Sequence, residues 1–325
     1  MKFKDAADMY FDIKKGLMKP SSYANFLHIY KKHIAEALDD IDLSDMDSRQ
    51  LQKFYNSLVN KKCELKKDMT ISKHSAKDIV GLVKTILYFA MDEGQMEERS
   101  FRLKTPYGFR DTDERKDFLD EKSYKKLINC CVDLSSKRYL LAKIFAILSV
   151  TTGLRIGEVC GLKWEDVNFK KNTIEVKRTV QRIQSENGGY INIGEPKTQT
   201  SKRTVALLSI TKEVLKKYKK ICDNPEADTF VLTAKPTPSE PRTVRQTYQR
   251  FLKANKIDYI RPHALRHTFT TYSISNGCDV KTISHLLGHA NTSITLDTYT
   301  HMTNKQMSKT VSKLNKICSI TKNEV

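Results

Sequence analysis

Three features of the sequence predict a mainly α protein with a small antiparallel β-sheet, built as two domains. Apolar residues recur at three- and four-residue spacing through residues 1–105 and again toward the C-terminus, the period of a helix buried on one side. Strict alternation, the period of a half-buried strand, is confined to the middle of the chain. The run RSFRLKTPYGFRDTDERKD, residues 99–117, carries Pro106, Gly108 and dense charge without any period, which marks 106–117 as a linker.

Residues 1–105 read as helical. A weaker helix over 5–16 precedes one that Ser21 or Ser22 can cap and that carries Tyr23, Phe26, Leu27 and Tyr30 at helical spacing. Another follows Asp47, with Leu51, Phe54, Tyr55 and Leu58 on one face. A longer one starts near Thr70 or Ser72, carries Ile79, Leu82, Val83, Ile86 and Phe89, and stops at Gly94. Four such helices with short joins predict a small bundle. Lys73, Lys77 and Lys84 lie roughly along one side of the last helix, either against phosphates or as a solvated face.

Residues 118–302 form the mixed domain. Ser123 can cap a helix through Leu134, and 137–150 is apolar enough to be a buried helix. Gly153 breaks that run and a short helix restarts near Ile156. TIEVKRTV, YINI and RTVALL predict a three-stranded antiparallel sheet, with Gly188 and Gly189 at its first turn. The second turn, PKTQTSKR, puts Lys197 at or beside a hairpin tip, with Lys202 and Arg203 as rivals in the same turn. Helices resume over 210–222 and 242–254. Arg242 and Arg245 open the latter, facing phosphates and base edges or simply water. Residues 303–325 form a tail helix with Met307, Val311, Leu314 and Cys318 on one stripe, packed on its own domain or exchanged between subunits.

Composition narrows the function classes. At 325 residues and 39% hydrophobic the chain is globular, and a formal charge of +19 points to a polyanionic partner, nucleic acid before membrane. Seven cysteines, odd in number and without a C-x-x-C pair, read as reduced thiols of a cytoplasmic protein rather than a disulfide scaffold. MKFKDAADMY has no apolar signal core, and the run around 139–150, interrupted by Lys143, is too short to cross a bilayer. The expectation is a soluble protein with no membrane anchor.

The densest chemistry lies in residues 261–301, RPHALRHTFTTYSISNGCDVKTISHLLGHANTSITLDTYTH. His263 and Arg266 are three apart and share a helix face, behind a proline that suits a helix start. His289 closes LLGH, and Tyr299 sits in LDTYTH. An imidazole, a guanidinium and a second imidazole brought near a phenol would make a phosphate site with a nucleophile attached. His263 and His267, four apart, superficially fit a zinc pair, but no H-E-x-x-H and no third ligand accompany them. No metal and no cofactor are expected.

TTGLRIGE, EPKT, HALRHT, LLGH and TLDTYTH, in that order, resemble the catalytic domain of the tyrosine recombinases, the phage integrase family. The likeness runs closely over 118–310, and the N-terminal bundle is similar in size and position to the family's core-binding domain. It implies that Arg155 and Arg266 hold the scissile phosphate, that Glu158 supports the first arginine, and that Lys197 is the hairpin lysine. It further implies that His263 and His289 are the two site histidines and Tyr299 the nucleophile. The arm-binding domain that many integrases place before the core-binding domain is not seen in the sequence.

The chemistry makes sense of that set. Two guanidiniums stay charged at any physiological pH and can fork across the nonbridging oxygens, doing what metal ions do in many nucleases. Tyrosine, with an ordinary pKa of about 10, needs a base, for which His263 is the candidate. Lys197 would protonate the leaving 5′ oxygen, and His289 would donate to a nonbridging oxygen. A 3′-phosphotyrosine keeps the ester, so strands can rejoin without ATP.

The resemblance implies a site-specific recombinase on double-stranded DNA, acting as a homotetramer, with an excisionase or host DNA-bending protein as further partners. The setting would be the bacterial cytoplasm, at the nucleoid. The best match in length, lysine content and TLDTYTH is an integrase of a phage or conjugative transposon. A chromosome-dimer resolvase is the alternative within the class; a type IB topoisomerase-like enzyme and a non-catalytic DNA-binding regulator are the alternatives outside it.

Overall fold

The computed structural model describes residues 1–63, 66–109, 118–183, 188–195 and 202–288, with backbone alone for 63 and 66–69. Lys197, His289, Tyr299 and the tail 303–325 lie outside the described residues. The chain divides into two compact units, Met1–Arg115 with Ile183–Tyr190, and Lys116–Arg182 with Ile191–Val325.

The first unit contains α1 (Phe3–Leu17), α2 (Pro20–Ile29), α3 (Ala35–Leu38), α4 (Ser48–Ser57) and α5 (Lys73–Asp92). Asp47 caps α4 by accepting the Gln50 N–H at 2.7 Å, and Ser72 caps α5. Gly94, in the left-handed region at φ 69°, follows the end of α5 as expected. Three details differ from the sequence reading. The second helix starts at Pro20, ahead of Ser21 and Ser22, because a proline at the first helical position has no N–H to satisfy. It then loosens into a π-helical turn over Tyr30–Ile34, and a hairpin of β1 (Lys62–Cys63) and β2 (Lys66–Thr70) precedes α5. Ile34, Leu51, Val83 and Ile86 are fully buried in an all-apolar core.

The second unit is organised round α7 (Leu140–Thr152), buried at every residue from Ala142 to Thr152. It packs against α6 (Glu121–Val132), α8 (Ile156–Cys160), α9 (Ser209–Ile221), α10 (Pro241–Ala254) and α11 (Pro262–Ser275). The cap of α6 is Asp120, which accepts the Ser123 N–H at 2.8 Å, so Ser123 lies inside the helix rather than before it. Gly153 ends α7 in the left-handed region at φ 68°. A Cβ there would also lie 2.5 Å from Leu287 Cδ2.

The expected three-stranded sheet is divided. β3 (Val167–Asn168), β4 (Thr173–Val176) and β7 (Arg203–Ala206) form one antiparallel sheet in the order β3-β4-β7, while β5 (Thr179–Ile183) and β6 (Tyr190–Gly194) form another. TIEVKRTV breaks at Lys177 and Arg178 because both reach the buried Asp166, at 3.3 and 2.6 Å. A flat strand would send two successive side chains to opposite faces. Helix α8 lies flush on β5: a Cβ on Gly157 would stand 2.8 Å from the Val180 carbonyl oxygen, and one on Gly161 2.9 Å from that of Arg178. No helix among the described residues is long and apolar enough to cross a membrane.

Candidate active site

Arg155 is placed by the break after α7. Its backbone is extended (φ −73°, ψ 153°), and it caps α8, whose third residue is Glu158. Glu158 accepts the Arg155 backbone N–H at 2.9 Å on one oxygen and Arg155 Nη1 at 2.9 Å on the other. The carboxylate thus fixes both the start of the helix and the direction of the guanidinium. The Arg155 side chain is 39% exposed and Glu158 only 4%, so the arginine presents an open face and its holder does not. Burial alone would raise the Glu158 pKa, but hydrogen bonds and charge from Arg203, then Arg155, hold it below the usual glutamate value.

Arg266 arrives from α11. The proline expected at a helix start is there: α11 begins at Pro262, and His263 and Arg266 stand one turn apart. Arg266 is 2% exposed, an unusual burial for a charge. Its Nη1 donates to the Gly153 carbonyl at 2.9 Å and its Nη2 to the Leu287 carbonyl at 2.8 Å. It therefore joins the end of α7 to the end of α12 (Val280–Leu287), with its fork held in one plane. Burial first, and the neighbouring Arg155 second, push its pKa down to about 9, which leaves it charged at neutral pH.

His263 stacks edge-on against His267, with ring centroids 4.6 Å apart. Desolvation, then His267, Arg266, Arg155 and Arg261, press its pKa down toward about 4. The residue also keeps an exposed surface. That direction makes neutral imidazole, a proton acceptor, the form present at neutral pH. Among the described residues no group of three His, Cys, Asp or Glu could hold a metal ion.

The structure thus brings Arg155, Glu158, Arg266 and His263 into one electrostatic cluster. Lys73 and Lys77 are exposed on α5 and Arg242 and Arg245 on α10, all surface cations. Lys84, which shares their presumed face with Lys73 and Lys77 in the sequence, instead donates to the Phe101 carbonyl at 2.8 Å. One member of the cluster escaped the sequence reading. Arg203, treated there as a rival for Lys197, is buried and forks onto Glu158 at 3.1 and 2.9 Å. The usable signal was its phase: Arg203 and Val205 are two apart on β7 and face the same buried side.

Residues 117–306 match the phage integrase family, and residues 2–59 match the phage integrase N-terminal SAM-like domain. A XerC-like tyrosine recombinase of Caldanaerobacter subterraneus subsp. tengcongensis is 30% identical, over 94% of this chain and 80% of its own. The ICEBs1 integrase of Bacillus subtilis is 26% identical, over 89% of this chain and 76% of its own. The fold is similar to that of the Tn1549 transposon integrase in complex with transposon right end DNA, with TM-score 0.78 at 19% identity, covering 97% of this chain and all of that one (100%).

Proposed function

Because the chain belongs to the phage integrase family and is a tyrosine-type recombinase that breaks and rejoins DNA at specific sites, we propose that its cleavage runs through Tyr299 and a 3′-phosphotyrosine. The observation that carries this reading is the cluster of Arg155, Arg266 and His263, in which Arg155 is held on the buried Glu158 carboxylate.

Arg155 and Arg266 bind the two nonbridging oxygens and offset the charge that builds on phosphorus, the kind of contribution worth about 3–4 kcal/mol per donor. His263 takes the Tyr299 proton as the phenol oxygen attacks; the P–O bond to the 5′ oxygen breaks, and Lys197 protonates that oxygen. Lys202 is bound to Glu195 at 2.7 Å and Arg203 is buried on Glu158, which supports Lys197 among the three basic residues of that turn. His289 donates to a nonbridging oxygen. Attack by a 5′-hydroxyl of another strand reverses the sequence without loss of bond energy.

Each subunit supplies one phenol, so exchange of four strands between two duplexes calls for a homotetramer. The element served is a phage or conjugative transposon, and the setting is the bacterial cytoplasm at the nucleoid, with an excisionase or a host DNA-bending protein setting direction. Residues 1–105 and the catalytic domain, 118–302, each bind the duplex; 106–117 links them, and the tail 303–325 joins neighbours. Lys73, Lys77, Arg242 and Arg245 contribute phosphate contacts.

The test is a nicked suicide duplex carrying the recombination site. A covalent protein–DNA adduct is expected from the native chain and none from Tyr299→Phe. An adduct that persists in Tyr299→Phe, or none at all from the native chain on its own site, overturns the reading.

A further inference from the structure

Neither the motifs nor the resemblance assigns Arg203 a task, yet its side chain is 3% exposed and its Nε, Nη1 and Nη2 all donate to the catalytic cluster or its frame. Nη1 and Nη2 reach the two oxygens of Glu158 at 3.1 and 2.9 Å, and Nε donates to the Leu286 carbonyl at 2.7 Å. Those same Glu158 oxygens hold Arg155, through Nη1 and through the backbone N–H. The Leu286 carbonyl adjoins the Leu287 carbonyl that Arg266 holds, so the two buried guanidiniums tie off the last turn of α12 side by side.

A carboxylate paired with Arg155 alone poses a conflict. It would orient the guanidinium and cancel its charge at once, and charge is what the phosphate transition state requires. A second, buried cation on the far side of the carboxylate removes the conflict. Glu158 is then already neutralised, and the positive charge of Arg155 remains available at its exposed face.

We propose that Arg203 is a positioning residue for strand cleavage, neutralising Glu158 so that this carboxylate aims Arg155 without cancelling it, and fixing the end of α12 to the same cluster. The proposal rests on Arg155 and Arg266 being the phosphate-binding pair.

Single-turnover cleavage of the suicide duplex by Arg203→Met, Arg203→Lys, Glu158→Gln and the Arg203→Met/Glu158→Gln double variant tests it, with DNA affinity and Trp164 fluorescence as controls. Arg203→Met should cleave about 10- to 100-fold slower with DNA affinity kept, the usual scale for loss of a supporting contact. Arg203→Lys should fall between it and the native rate. The double variant should cleave faster than Arg203→Met alone, since the uncompensated carboxylate is gone, while unchanged DNA affinity and Trp164 fluorescence across the variants separate this from a loss of folding. A native rate in Arg203→Met, or a double variant slower than both single ones, overturns the proposal. If Arg203→Met does not fold, Arg203→Lys decides: it keeps the charge but cannot span Glu158 and Leu286 together, and a native rate overturns the role. Tyr299→Phe run beside these separates the two ideas. Loss of the adduct there with native cleavage in the Arg203 variants leaves the reaction standing and removes only the positioning role; an adduct there removes the reaction itself.

Discussion

The two units of this chain solve burial in opposite ways. Among the described residues, no Lys, Arg, Asp or Glu side chain is buried in the first unit, whereas Lys143, Glu158, Asp166, Arg203 and Arg266 are all buried in the second. Desolvating an ion costs several kcal/mol even after relaxation, and a paired ion rarely returns more stability than an apolar residue of the same size. The core of the first unit is thus assembled for stability alone. The second gives up stability to hold fixed charges, and three of its five buried ions belong to the site or its support.

That contrast is exposed most sharply at Arg266. Arg266→Ala should slow cleavage about 10³-fold and also destabilise the second unit by about 1–3 kcal/mol for each carbonyl it orphans, at Gly153 and Leu287. Arg266→Lys and Arg155→Lys should lose cleavage while keeping most DNA binding; parallel loss of both would argue for a framework role. Cleavage on the suicide duplex and urea melts read the two effects apart.

In the first unit the largest effect is on stability. Ile86→Ala, at a fully buried position, should cost about 2–5 kcal/mol, and Ile86→Val only about 0.5–1.5. A double-mutant cycle of Ile86→Ala with Ile34→Ala in equilibrium urea melts checks that the core is additive and apolar.

Acid should separate the units next. His263 has a folded pKa near 4 against an ordinary 6.5, so the unfolded chain takes up the proton first. Its contribution is complete above about pH 6.5 and fades as pH falls toward 4. Glu158, held below its ordinary 4.5, adds a loss in the same direction at still lower pH. The single tryptophan, Trp164, is buried in the second unit and reports its unfolding. Its urea midpoint should drop between pH 6.5 and 4, with a shallower slope in His263→Gln. An unchanged slope in that variant would remove His263 as the cause.

Smallest of all, Lys73→Ala and Lys77→Ala change exposed side chains, and stability should stay within about 0.5 kcal/mol. If they touch phosphate, each should reduce the salt slope of DNA binding by about one. An unaltered slope would return them to the solvated face.

The same contrast explains what was legible in the sequence. An apolar core announces itself by period, so Leu51, Phe54, Tyr55 and Leu58 located α4 and its cap without a structure. The β1–β2 hairpin escaped because its residues are charged and show no alternation. In the second unit the period misled where ions intervene. TIEVKRTV alternates well enough for one strand, but Asp166 draws both Lys177 and Arg178 and divides it. His263 and Arg266 were legible from their spacing on one helix face, whereas Arg155 and Glu158 were legible only through the resemblance of TTGLRIGE to the family's motif. Arg203 was not, since TSKR looks like any basic turn until the strand phase and the partner at Glu158 are both known.

The close seating of α8 on β5 bears on how this enzyme can be altered. At five residues α8 has too few internal hydrogen bonds to hold its own line, and its direction is inherited from the backbone beneath it. One methyl at Gly157 would meet the Val180 carbonyl and Thr179 Oγ1, 2.5 Å away, and could be accommodated only by lifting the helix bodily. Arg155 rides at the leading end of that helix. If Arg155 binds the scissile phosphate as proposed, cleavage also depends on this glycine seat, and a laboratory search for altered site preference would do well to leave that seam alone.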